Sequence, residues 1–420
     1  MRDVKRSLVI GVALILAITL GVLMFPSAAT AKPIKIGIID CYTGGAAAFT
    51  KPALVAWNMV VDEFNAKGGL KGRKIELITR DSKFKADEAA AHARELILKE
   101  RVDFLAGTVS SSAALAVSEF ARKKKKLFMV HISRSHRITG ELGHKYIFRG
   151  CPSAGIEGLA GGYYAATKPL TKWYIIGDDY EYGHSIADNF WAGLNKHKPG
   201  VQLVGQAWPK LKETDYTPYL TALRAKKPDA VYAAFGASGL ISFMKQAKLF
   251  GLFQELPVFA FALGDSLFPK VLKENMPVGA FAASNYLWYY PDTPANKAFV
   301  KKYLDYTTKM GKPDPHPSGI GTFGGYCSAK FLTEAILKAG SVDTQKVIKA
   351  LEGLTIDTAI GPIRMRGCDH QAVTPAFWGE IASIPGYPFP VMKDIVMTPA
   401  KKVIPTCKEI AEARKAAKAK

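Results

Sequence analysis

Pro33-Ile34-Lys35-Ile36-Gly37-Ile38-Ile39 runs into the turn-rich Thr43-Gly44-Gly45, and then Leu54, Trp57, Val61 and Phe64 recur three or four residues apart. A short β-branched run without a polar face reads as a strand covered on both sides. The spacing after it predicts a helix over residues 51–65, stopped by Asn65-Ala66-Lys67-Gly68-Gly69-Leu70-Lys71-Gly72. The same alternation continues outward, with strands expected at 74–79, 102–106 and 127–132 and helices at 87–100 and 113–124. After residue 150 it begins again, with helices at 158–167, 185–194, 217–225 and 239–249 and strands at 172–176, 201–207 and 230–234. Strands alternating with helices of this length imply an α/β protein with parallel sheets. Two series imply two lobes. Ligands of such sheets lie beyond the carboxyl ends of the strands, so the loops there are where function is sought.

The flanks read differently. Arg2, Lys5 and Arg6 precede an apolar run from Leu8 to Phe25, Pro26 breaks it, and Ala29-Thr30-Ala31 supplies small residues. That order is expected of a secretory signal cleaved after Ala31, with an uncleaved anchor as the alternative. The chain has 57 Lys plus Arg against 36 Asp plus Glu, a formal charge of +21, and loses two units of it with residues 1–31. Export makes nucleic acid a poor partner for that charge, and none is expected. Five cysteines without C-x-x-C or zinc spacing leave room for a disulfide in an oxidising compartment. Cys368 and Cys407, both in Pro-rich surroundings, are the pair we expect. The basic stretch 397–420 reads as a tail ending in a frayed helix.

Several motifs lead nowhere. Gly319-Ile320-Gly321-Thr322-Phe323-Gly324 fits G-x-G-x-x-G, but Lys312-Pro313-Asp314-Pro315-His316-Pro317 before it is no buried strand. It reads as a glycine-rich entry to a helix over 326–338. The basic run Arg122–Lys126 sits between a helix and a strand and reads as a solvated turn. His131, His136, His144 and His184 lack the spacing of a metal site, so no metal is expected.

Two loops carry more. Gly107-Thr108-Val109-Ser110-Ser111-Ser112 follows one predicted strand and opens a helix, whose free N–H groups and positive end suit an anion. The next strand ends in Ile132-Ser133-Arg134-Ser135-His136. Together they form a candidate carboxylate clamp.

Over residues 33–395 the chain resembles the exported solute-binding proteins of the branched-chain amino acid type, the leucine/isoleucine/valine-binding proteins of ABC importers. Ile34–Ile38 with Thr43-Gly44, the segment FNAKGGLKG at 64–72, Gly107–Ser112, Tyr182-Gly183, PANK at 294–297 and DTAIGP at 357–362 carry the resemblance. It implies two Rossmann-like lobes joined by three crossing strands (a type I periplasmic binding protein), with crossings near residues 153, 284 and 360. The N-terminal lobe is then 32–153 plus 285–359 and the C-terminal lobe 154–284 plus 360–396. The resemblance also implies a periplasmic protein without cofactor or catalysis that delivers its ligand to a membrane permease. We expect a monomer. Ser111, Ser133 and Ser135 match positions that hold the ligand's carboxylate and ammonium, Phe49 an aromatic of the side-chain pocket, and Tyr182 a cleft tyrosine. A second cleft tyrosine has no clear equivalent near Phe235. The acidic partner of an α-ammonium falls near Leu263, which cannot serve. Either Asp265 takes that role or the ligand has no α-ammonium. Arg134 and His136, with Phe49, Tyr180 and Tyr182, favour the second reading, an aromatic or aliphatic carboxylate or an amide. A ligand-sensing module and an exported α/β enzyme acting on a carboxylate or amide are the rival functions.

Overall fold

In a computed structural model of the protein, residues 32–419 are described. The signal and its cleavage point after Ala31 lie outside them. The chain opens with β1 (Ile34–Asp40), α1 (Ala47–Ala66), β2 (Ile75–Asp81), α2 (Ala86–Leu98), β3 (Phe104–Gly107), α3 (Ser111–Lys123), β4 (Phe128–Val130) and β5 (Ile147–Arg149). These strands form a parallel sheet in the order β2-β1-β3-β4-β5. The apolar run of β1 has a reason in this packing. Ile34, Ile36 and Ile38 meet Trp57, Val60 and Phe64 of α1, whereas Ile39 joins Leu96 and Val117 on the other face.

The second series gives α4 (Ala154–Ala165), β6 (Lys172–Gly177), α5 (Glu181–His197), β7 (Gln202–Ala207), α6 (Thr217–Ala225), β8 (Ala230–Ala234), α7 (Ala237–Leu249), β9 (Val258–Ala260) and β10 (Phe281–Ser284). The chain then returns to the first lobe with α8 (Pro294–Lys309), α9 (Gly324–Ala339), α10 (Thr344–Leu351) and the hairpin of β11 (Thr355–Thr358) and β12 (Gly361–Arg364). Finally β13 (Ala376–Ala382) and β14 (Val391–Thr398) join the second sheet, ordered β14-β13-β10-β9-β8-β6-β7. That sheet is parallel except for β13 and β14, which run antiparallel at one edge.

Chain segments pass between the lobes after Arg149, after Ser284 and after Ala372. The third lies later than the expected 360, because Ile356, Ala359, Ile363, Met365 and Ala372 are all buried in the first lobe's core. Arg149 ties the first and third passages together. It is fully buried and donates to Gln371 Oε1 (2.7 Å), Thr139 Oγ1 (2.7 Å) and the Ser135 carbonyl (2.6 Å). Burial lowers its pKa to about 10, so it stays charged at neutral pH.

The C-terminal tail is not frayed. Cys407 is bonded to Cys368, and α11 (Cys407–Lys418) starts with a capping box between Thr406 and Glu409. Arg414 then donates to the carbonyls of Thr139, Gly140 and Cys368. The helix after the G-x-G-x-x-G sequence is α9, entered through a π-helical turn at Gly319–Phe323. A Cβ at Gly321 would lie 2.3 Å from the carbonyl oxygen of Phe49. These glycines let α9 close on α1.

Candidate functional site

The β3–α3 loop places three serines at the start of a helix, and the hydroxyls of Ser110 and Ser111 have different partners, that of Ser111 accepting from Ser135 N–H (3.2 Å). Ser110 caps α3 by accepting from Ala113 N–H. The free N–H of Ser111 donates to the Tyr180 hydroxyl (2.5 Å), which also lies 3.1 Å from Ser110 Oγ. Tyr180 precedes α5 in the other lobe, so its phenol sits on the helix end that suited an anion and holds the two lobes together there.

Between the lobes lies a cavity of about 210 Å³. Phe49, Ile132, Phe235, Phe261, Phe268 and Ile320 give it apolar walls, and Ser111, Arg134, Glu157, Asp178, Tyr180 and Tyr182 give it polar groups. Phe49 reaches it from α1, with its ring 6.1 Å from that of Phe268. Phe235 is held by rings behind it, stacked on Phe243 (4.8 Å) and edge-on to Tyr216 (5.6 Å).

The polar groups are set by burial. Arg134 is 6% exposed, and its Nη1 donates to Asn285 Oδ1 (2.7 Å) and pairs with the Glu157 carboxylate. Its Nη2 is buried without a hydrogen-bond partner among the described residues. Asp178, at the carboxyl end of β6, is 2% exposed. Its Oδ2 accepts from Gly236 N–H (2.8 Å), while Oδ1 has no partner among the described residues. Burial raises its pKa to about 6. The Tyr182 hydroxyl is pushed up to about 12 by burial, with Arg134 pulling down and Asp178 pushing up. Cys41, also on the wall, is held as a thiol, its pKa raised to about 11 by burial and by Asp81 and Asp40.

Of the residues expected from sequence, Phe49, Ser111, Arg134, Tyr182 and Phe235 meet at this cavity. Three others do not. Ser133 Oγ is consumed within its own lobe, 2.7 Å from the Thr108 carbonyl, 2.9 Å from that of Ser110 and 2.8 Å from Thr108 Oγ1. Ser135 Oγ donates to Glu181 Oε1 (2.6 Å) across the lobe boundary. Asp265 is fully buried and accepts from the N–H groups of Leu267 (3.0 Å) and Ile320 (2.7 Å), a role in chain packing. Leu263 is a core residue of the second lobe.

Two lining carboxylates went unread in the sequence. Asp178 could have been found, since it lies in the loop just past the strand predicted at 172–176. Glu157 had no signal beyond its place in the first turn of a helix. The four histidines are dispersed. His131 accepts from Trp57 Nε1 and donates to Asp40 Oδ2 (2.6 Å), His136 meets Ser185, His144 meets Ser118, and His184 meets Asp179. Among the described residues no group of three or more His, Cys, Asp or Glu could hold a metal ion.

Residues 33–383 match the family model described as periplasmic binding protein. The Leu/Ile/Val-binding protein homolog 8 of Brucella suis biovar 1 (strain 1330) is 25% identical over 357 residues, covering 82% of this chain and 86% of its own. A solute-binding protein of an R. palustris ABC transporter, solved with 4-hydroxybenzoate, superposes with a TM-score of 0.78 at 20% identity, over 89% of this chain and 100% of that one. A branched-chain amino acid ABC-type transporter protein of Rhodopseudomonas palustris CGA009 gives a TM-score of 0.68 at 26% identity, over 89% and 98%.

Proposed function

Since this chain belongs to the periplasmic binding protein family and is of its branched-chain amino acid type, we propose that it is the extracytoplasmic component of an ABC importer that closes on a small carboxylate. Lobe closure buries the ligand, and a permease in the membrane receives it. A disulfide between Cys368 and Cys407 fits an oxidising compartment outside the cytoplasmic membrane.

The observation that carries the ligand class is the Arg134 guanidinium, buried at an aromatic-walled cavity with Nη2 unpartnered among the described residues. A ligand carboxylate there would satisfy a buried donor, and a hydrogen bond between charged groups contributes about 1.5–3 kcal/mol. Glu157 offsets the Arg134 charge when no anion is bound. Size supports the same class. An apolar cavity of about 150 Å³ holds a benzene ring, and about 210 Å³ leaves room for a carboxylate on that ring. The R. palustris protein solved with 4-hydroxybenzoate makes benzoates the first candidates, with aliphatic and amino acids beside them.

The test is a thermal-shift screen of the purified protein against benzoates, branched aliphatic acids, amino acids and benzamide. The expected result is stabilisation by one carboxylate class, about 2.7 kcal/mol at 100 times its dissociation constant. Stabilisation by benzamide alone, or by none of them, would reject the carboxylate reading.

A further inference from the structure

The carboxylate of Asp178 is built as more than a helix cap. Its Oδ2 satisfies Gly236 N–H at the start of α7, a task that a neutral Asn or Ser performs equally well. A cap needs one oxygen, and Asp178, a residue of the cavity lining, brings a second one that is buried and without a partner among the described residues. The neighbourhood makes room for it. A Cβ at Gly239 would lie 2.5 Å from Oδ1, so the first turn of α7 is bare where the carboxylate rests. The positive end of α7 favours the anion. The same cavity is lined by Arg134, whose Nη2 is a buried donor without a partner among the described residues, and the Tyr182 hydroxyl responds to both charges. The lining residues thus hold an unused donor, Arg134 Nη2, and an unused acceptor, Asp178 Oδ1, while the Glu157 oxygens, also without hydrogen-bond partners among the described residues, are already set against Arg134 by charge. A simple carboxylate would satisfy Arg134 and leave Asp178 Oδ1 orphaned in a dry cleft, at a cost.

We propose that Asp178 determines specificity, its Oδ1 accepting a hydrogen bond from a donor on the ligand, a phenol O–H or an ammonium N–H, so that the solute carries a donor besides its carboxylate. The inference rests on the carboxylate reading of the cleft. It also answers the gap at Leu263, since the acidic group reaches the cleft from the end of β6 instead.

Calorimetric titrations at pH 7.5 test it with pairs that differ in the donor alone. The pairs are 4-hydroxybenzoate against 4-fluorobenzoate, and L-leucine against 4-methylpentanoate. One donor-bearing member should bind about 10- to 150-fold tighter than its counterpart, and the pair that shows it distinguishes phenol from ammonium. In Asp178→Asn the amide nitrogen faces the cavity while the carbonyl keeps Gly236 N–H, and the preference should vanish. Thermal unfolding checks that the variant is folded, and Asp178→Ser serves if it is not. Equal affinity within both pairs would overturn the role of Asp178 and leave the carboxylate reading standing. A preference that survives in the folded variants would overturn it too. No binding of any of the four would overturn both.

Discussion

Arg134 and Glu157 face each other across the base of the cleft, one from the loop after β4 and the other from α4. Removing one partner of a buried ion pair strands the other charge, whereas replacing both by neutral groups is much milder. Arg134→Gln should therefore lose roughly 3–5 kcal/mol of stability in chemical denaturation, and adding Glu157→Gln should restore most of it. Asp178 behaves in the opposite sense. Its pKa is raised from 3.8 to about 6, so the folded state holds that proton more tightly than the unfolded chain. The stability it lends is present below pH 3.8 and is lost as pH rises through 6. Asp178→Asn should gain on the order of 2 kcal/mol at pH 7.5 and close to nothing at pH 4. Ser133→Ala should cost only about 0.5–1.5 kcal/mol, because the carbonyls of Thr108 and Ser110 lose one partner each and keep the N–H groups of Ser133 and Ala114, and should leave ligand preference unchanged. Ser111 and Ser133 look alike in the sequence, each a hydroxyl at a strand end. What separates them is whether backbone carbonyls stand beside the hydroxyl, which only the folded loop decides.

At the scale of elements, the βα rhythm was legible because it rests on local periodicity. Thr217–Ala225 and Ala230–Ala234 fall where spacing puts them, and the other elements of both series differ by a few residues at their ends. The expected crossing at 360 split the hairpin, leaving β11 in the first lobe and β12 in the second, since which core accepts Ile363 depends on contacts far away in sequence. The C-terminal arm was misread for a related reason. Polar and Lys-rich, α11 has no strong apolar face, and its place is set by one buried Ile410, by Arg414 and by the disulfide. The arm leaves the second sheet at Thr398, packs Val403 into that lobe's core and is then bonded to Cys368 beside the first lobe. The disulfide closes a loop with a sequence separation of 39, for which the chain-entropy model gives an upper value of about 4 kcal/mol. Cys368→Ser/Cys407→Ser should lower the denaturation midpoint accordingly, and dithiothreitol should do the same to the unaltered protein but not to the variant.

Over the whole molecule, the +21 charge proved a weak guide. Arg122 and Lys123 are spent on Glu119 at the end of α3, and the arm carries more. A single buried guanidinium says more about the ligand than all the surface lysines. Among the described residues no helix is long and apolar enough to cross a membrane. Two lobes meet at Tyr180 and at the Arg134–Glu157 pair, and on the function proposed above a ligand that touches both lobes favours the closed form. The most direct test is a calorimetric titration with the carboxylate that stabilises the protein best, compared between the unaltered chain and the folded Arg134→Gln/Glu157→Gln variant. The account predicts one ligand per chain and at least about a tenfold loss of affinity in the variant. Equal affinity in the two proteins would contradict it.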